Sequence, residues 1–229
     1  MTDGSEIKRS IIGAIIYIVP FYKKHKVMKL IIKSLLIVYF IISCNTNSVK
    51  GFSNENIYII LRGTESKRTL ISKNFNIYDS LYTHIGIGFK NRNQRSLVIY
   101  HILPSSEKEG VLIESLSEFE DVEDLNCIGI YSINLSSSNY KKVENYVKMI
   151  SDSNIIYDKN FDLDDQSAMY CSEFVIKALN QSDGFNIRPV KKEMPIIYKG
   201  ISGKDSLIYY PVDILLNNKE IKLHSYKRI

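Results

Sequence analysis

The sequence predicts a single α+β domain, with short strands packed against two amphipathic helices. Three observations carry that expectation. Runs rich in Ile, Val and Tyr, four to eight residues long, recur between polar turns. Two segments in the second half repeat apolar residues at helical spacing. No internal repeat or linker divides them. The composition agrees: 229 residues, 45% hydrophobic and 24% charged with only 5 Pro, exclude a disordered, collagen-like or low-complexity chain. That length can bury a core without staples. Three Cys, an odd number, argue against a disulfide framework and against a four-Cys zinc site.

In chain order, Asn56 to Arg62 (NIYIILR) reads as a strand that Gly63 ends. Ser66 to Asp79 reads as a helix or a loop across the sheet edge. Tyr82 to Phe89 (YTHIGIGF) is a strand with two glycines, the signature of a close backbone approach. NRNQR at 91–95 is a turn, and Leu97 to Leu103 returns as the partner strand. Val111 to Glu114 and Cys127 to Ile133 are further strands. Ser138 to Ser151 is the clearest helix, because Tyr140, Val143, Val147 and Ile150 fall on one face behind a Ser/Asn cap. A second helix runs from Cys171 to about Gln181, with Gly184 beyond its end. Leu207 to Ile214, carrying Pro211, is expected as an edge strand, and Lys219 to Tyr226 as the last one.

The N-terminus reads as an address. Lys29 and Lys33 precede an apolar run from Leu35 to Ile42, followed by Ser43, Cys44 and the polar NTNSVKG. A charged start, a short apolar stretch and a small residue at the cut describe a secretory signal over 28–43. The ending Ile41-Ile42-Ser43-Cys44 resembles a bacterial lipobox, with Cys44 as the lipidated residue. Residues 44–55 are then a tether and 56–229 the domain. Residues 1–27, with a second apolar run from Ile11 to Tyr22, read as an over-extended start ahead of Met28 or as a membrane segment. The expected location is the cell envelope, lipid-anchored at the bacterial outer membrane or on the periplasmic face.

The net charge of +5 does not describe the domain. Seven of the 30 basic and two of the 25 acidic residues lie within 1–43, leaving 23 of each in the remainder. A nucleic-acid partner would require a concentrated basic face, and none is visible.

Cys171 opens an amphipathic helix behind the polar loop FDLDDQSAMY. A thiol at a helix N-terminus faces unpaired N–H groups, which favour its thiolate and can hold an oxyanion. Such a nucleophile needs a base, and His84 stands on the Gly-bearing strand. His101 lies on the next strand, where a hairpin across 91–95 would bring it near His84 to orient it; Glu114 is the other candidate for that role. Cys127, inside an apolar strand, reads as packing, and His224 as exposed. A zinc site from His84, His101 and Cys171 is a further alternative.

YTHIGIG at 82–88 together with YCSEFV at 170–175 resembles the permuted papain-like branch of the NlpC/P60 superfamily, in particular its YiiX-like group. In ordinary papain-like enzymes the Cys helix precedes the His strand; here His84 precedes Cys171, as the permuted order requires. The resemblance implies a circularly permuted papain-like fold, a small antiparallel sheet packed with helices. It also implies a Cys171 nucleophile, a His84 base, and Tyr170 and Glu173 as flanking motif residues with binding or structural roles. The third polar residue falls on the strand after the His, where YiiX-like proteins carry Glu and this chain places His101. The lecithin:retinol acyltransferase-like relatives use a second His there. The acidic stretch Asp158 to Asp165 resembles the loop that leads into the Cys in this group.

The expected function is a thiol hydrolase cleaving an amide bond through an acyl-enzyme, with cell-wall peptide as one substrate class. A lipid-directed acyltransferase or lipase, or a non-catalytic envelope binding module, are the alternatives. The partners expected are a peptide or acyl substrate and, through the lipid, a membrane. No cofactor is called for.

Overall fold

The computed structural model describes residues 51–66, 69–91, 96–104, 110–194, 199 and 203–229. The expected leader 28–43, the segment 1–27 ahead of it and Cys44 lie outside the described residues. Among those described, no helix is long and apolar enough to cross a membrane.

Residues Gly51–Ile229 form one compact unit around a six-stranded antiparallel sheet. Its strands are β1 (Asn56–Thr64), β2 (His84–Lys90), β3 (Leu97–Ile102), β4 (Val111–Ser115), β5 (Leu125–Asn134) and β10 (Ile221–Arg228), in the spatial order β10-β5-β1-β2-β3-β4. Central β1 is buried on both faces, which explains its unbroken Ile/Leu/Tyr run. One face sets Ile57, Ile59 and Leu61 with Ile85, Ile87 and Phe89 against the two long helices. These are α3 (Ser137–Ser151), capped by the Ser136 hydroxyl, and α4 (Cys171–Leu179). Val143 and Val147, both wholly buried, occupy the apolar stripe the spacing predicts. Burying each contributes about 1.5–3 kcal/mol. The other face holds a smaller core of Tyr58, Ile60, Leu97, Ile99, Ile128 and Ile130, closed by Phe119 of the short helix α2 (Leu116–Glu120). A Ser115–Glu118 capping box starts that helix. The remaining helix, α1 (Thr69–Phe75), falls inside the stretch 66–79 left open between helix and loop.

Two short sheets complete the fold: parallel β6 (Ile156–Tyr157) with β7 (Ala168–Met169), and antiparallel β8 (Val190–Glu193) with β9 (Ser206–Tyr209). Here two expectations are corrected, the edge strand and His224. The edge strand expected to run to Ile214 stops at Tyr209, because Pro211 supplies no N–H to a ladder, and the chain turns into a 3-10 helix over Ile214–Asn217. Helix α4 ends at Leu179 with Asn180 as its cap in right-handed conformation, close to the expected end and ahead of Gly184, and the Ser182 hydroxyl donates to the Leu179 carbonyl at 2.8 Å. His224 is half-buried, not exposed: it sits at a break in the β10–β5 register, stacked on Phe52 at 5.1 Å and edge-on to Tyr58.

Candidate active site

The β2–β3 hairpin expected from the sequence does bring the two histidines together. Nε2 of His84 lies 2.9 Å from Nδ1 of His101, and Nε2 of His101 lies 2.9 Å from Oε2 of Glu114 on β4. Gly86 makes this possible. A Cβ there would stand 2.7 Å from Ile99 Cγ2 and 3.3 Å from both His101 Cβ and Phe119 Cε2. With no side chain in the way, His101 can lean toward His84. Glu114 is opposite Ile99 in the β3–β4 register, hence diagonal to His101 and on the same face. His101 and Glu114, the two candidates for the third position, are thus hydrogen-bonded in series behind His84.

The chain of bonds fixes the tautomers. An ionised carboxylate only accepts, so His101 donates from Nε2 and its Nδ1 is a lone pair. His84 must then donate from its own Nε2, which leaves His84 Nδ1 as the basic nitrogen. Both rings are buried, His101 completely. Burial is the main cause that lowers both histidines, assisted by the Arg62 cation; His84 falls well below its usual range and His101 to about 3. Both imidazoles are neutral at rest.

Cys171 arrives from the opposite face of the sheet. It packs in the larger core beside Leu61 and Ile85, whereas His84 belongs to the face of Phe119, on which its ring stacks at 5.7 Å. The thiol reaches the start of β2, where His84 stands. The backbone N–H of Ile85, the residue after His84, points at the sulfur, as do those of Ser172 and Cys171 itself. These groups and Arg62 favour the thiolate, but burial is the larger cause, and the Cys171 thiol stands above its ordinary value. The helix-terminus N–H groups expected to favour the thiolate are in place, but desolvation outweighs them. Among the described residues, no hydrogen bond joins the sulfur to either imidazole; the pair is neutral and adjacent through the His84–Ile85 peptide. Nor does any group of three or more His, Cys, Asp or Glu converge as metal ligands there. The facing nitrogens of the two histidines share one proton and leave no room for an ion between them.

The turn around Cys171 is held by its neighbours. The hydroxyl of Tyr170 accepts the N–H of Tyr210 at 2.8 Å, and the hydroxyl of Ser172 donates to the carbonyl of the same residue at 2.6 Å. Three residues on, Asp213, wholly buried, accepts the N–H groups of Ile77, Tyr78 and Asp79, in the loop that leads to His84. One segment, 210–213, thus pins both halves of the site. Glu173, also wholly buried, accepts the N–H of Tyr170 and faces Lys177 Nζ at 2.7 Å as an ion pair. Tyr170 and Glu173, for which the resemblance left binding or structural roles open, are both buried, and their polar atoms are bonded at the start of the helix.

Parallel pairing of β6 with β7 sets Tyr157 beside Met169, two residues before the cysteine. The carboxylate of Asp158 shapes the acidic loop between them by accepting the N–H groups of Asn160 and Asp162. Burial, with the nearby Cys171 thiol as a smaller cause, pushes the Tyr157 phenol well above its usual range, so it is a neutral donor. Sequence reasoning named neither Tyr157 nor Arg62. Tyr157 had only its place ahead of the acidic stretch as a signal, and Arg62 looked like the polar end of a strand.

A Cys at a helix start, a two-histidine relay ending on a carboxylate, and the order His before Cys now stand together. Over residues 61–219 the chain matches the family model described as permuted papain-like amidase enzyme, YaeF/YiiX, C92 family. The chain belongs to this family. It is therefore a papain-like amidase, a hydrolase of the cysteine peptidase type, and its mixed helices and antiparallel sheet are the permuted α+β fold. No curated protein and no solved structure matches it.

Proposed function

We propose that this permuted papain-like amidase cleaves an amide bond through an acyl-enzyme on Cys171, with His84 as the base and His101 and Glu114 behind it. The observation that carries this reading is the hydrogen-bonded series His84–His101–Glu114, which leaves Nδ1 of His84 as the free lone pair at the strand end where the thiol sits. His84 Nδ1 takes the proton from Sγ as the sulfur attacks the acyl carbon. The backbone N–H groups at the start of α4, with the Tyr157 phenol, donate to the oxyanion. The C–N bond then breaks as His84 returns the proton to the leaving amine, and water, deprotonated by the same nitrogen, releases the acid and frees the thiol. Resting neutrality suits this cycle, because charge separates only when substrate fills the site.

The reading extends to place. The lipobox-like ending at Cys44 supports a lipid-anchored envelope protein, for which cell-wall peptide is a substrate within reach. Incubation of full-length protein and Cys171→Ala with peptide amides, peptidoglycan fragments and lipid acyl donors tests the chemistry. Amide hydrolysis by the wild type alone is expected; turnover by Cys171→Ala would sink the mechanism, and activity confined to lipid donors would replace peptide by acyl lipid. Fatty-acid labelling that disappears in Cys44→Ser tests the anchor, and labelling that persists removes it.

A further inference from the structure

Arg62 lies at the end of β1, directly opposite His84 in the β1–β2 register, and is only 5% exposed. Its guanidinium is fixed in two ways. Nη1 donates to the carbonyl of Phe119 at 2.7 Å, and the planar group lies 4.5 Å over the ring of that residue. The same ring stacks on His84 and meets the edge of His101 at 5.0 Å. Among the described residues no carboxylate stands within ion-pair distance of this cation, although a buried charge without a contact partner is expensive. What it faces instead is the site. From β2 and β3 these are the two imidazoles, from β4 the carboxylate of Glu114, and from α4 the thiol of Cys171. On α2, Glu118 is engaged in its own helix cap and Glu120 pairs with Lys227, so neither neutralises it.

We propose that Arg62 is a positioning residue for the reaction: a fixed cation, held by Phe119 beneath the histidine pair, that draws the negative charge onto Cys171 and keeps positive charge off the imidazoles until substrate arrives. This rests on the assignment of Cys171 as nucleophile. The sign is the same at each neighbour. A nearby cation favours the thiolate and disfavours an imidazolium, and the electrostatics at Cys171, His84 and His101 all have that direction. Phe119 gives the arrangement specificity, since a flat guanidinium can lie on a ring and donate to its carbonyl at once, whereas an ammonium does this poorly.

The test uses full-length protein and follows iodoacetamide alkylation against pH, read at the Cys171 peptide by mass spectrometry. Arg62→Gln keeps a donor for Phe119 and removes the charge; Arg62→Lys keeps the charge and loses the fork. Below the midpoint, alkylation of Arg62→Gln is expected to slow about tenfold, the lower end of what an adjacent opposite charge does, with the midpoint moved to higher pH. Arg62→Lys is expected to fall between, about threefold slower. A merely structural arginine would change melting temperature but leave the midpoint in place, and a wild-type midpoint in Arg62→Gln overturns the proposal. If Arg62→Gln does not fold, Arg62→Met, which also removes the charge and keeps a long side chain against Phe119, decides in its place, its wild-type midpoint having the same meaning. Cys171→Ala separates the two ideas. If it still hydrolyses amides, the nucleophile is wrong whatever Arg62 does. If it is dead while Arg62→Gln titrates like wild type, only the role of Arg62 falls.

Discussion

Replacing Glu114 by Ala should weaken the base, two hydrogen bonds away through His101, without touching the thiol. The His101 Nε2–Glu114 Oε2 contact is 2.9 Å, with His101 wholly buried and the carboxylate 27% exposed. A hydrogen bond to a charged group contributes about 1.5–3 kcal/mol, and partial exposure of Glu114 places this one at the low end, about 1.5 kcal/mol. Its loss removes a bias of roughly tenfold toward the Nε2–H tautomer of His101, and with it the matching tautomer of His84. The contact strengthens when His84 takes up a proton, so the same energy is withdrawn from the proton-transfer step, a fall of at least about tenfold in kcat/KM. Nitrogen-15 NMR of histidine-labelled protein reads the tautomers without any substrate: wild type should show Nε2–H at both rings, Glu114→Ala a mixture. Glu114→Gln, whose amide oxygen accepts the same bond, should stay close to wild type in tautomer and lose less activity. Melting should drop by roughly 3–6 °C in Glu114→Ala. Unchanged tautomers together with a wild-type rate in Glu114→Ala would refute the series of bonds as a device for setting the base.

Three further outcomes follow from the same structure. The folded pKa values of His84 and His101 lie below the unfolded value of about 6.5. Their contribution to stability is therefore complete above that pH and is lost as pH falls through it. Urea melts should lose up to about 1.4 kcal/mol per pH unit per histidine between pH 6.5 and 5, with a flatter slope in the His84→Gln/His101→Gln double variant. Gly86→Ala should destabilise by about 1–3 kcal/mol through overpacking, and should cost more activity than stability, because two of the three atoms it displaces belong to His101 and Phe119. Asp213→Ala strands three backbone N–H groups around a wholly buried site and should cost about 3 kcal/mol or more by thermal melting. Asp213→Asn, which retains an acceptor, should lose less.

What the sequence disclosed, and what it withheld, divides along the range of the interactions. Helix α3 was legible because Val143, Val147 and Ile150 repeat within four residues of one another, and the β2–β3 hairpin because both strands flank one polar turn. The pairing of His84 with His101 followed from that hairpin. Glu114 was visible only as an alternative, since its place behind His101 depends on the β3–β4 register and not on spacing. Arg62 and Tyr157 were hidden for the same reason: one faces the site across a β1–β2 pairing, the other through a parallel two-residue ladder closed around an acidic loop. Local chemistry also misled where burial overrode it, as at the thiol, whose helix-terminus stabilisation is outweighed by desolvation. Tyr170 and Glu173 carried the motif, but that both are buried and bonded within the helix start could be read only from the structure.

The clasp formed by residues 210–213 has a consequence for the order in which the protein becomes competent. Synthesis delivers the histidines first, the cysteine next and the clasp last, so a chain halted at Tyr209 already contains every reacting group. It lacks the peptide that bridges Tyr170 to Ser172 and the carboxylate that gathers the 77–79 loop. A chain ending there would leave the Tyr170 hydroxyl, the Ser172 hydroxyl and three backbone N–H groups of the 77–79 loop without the partners they have in the finished fold.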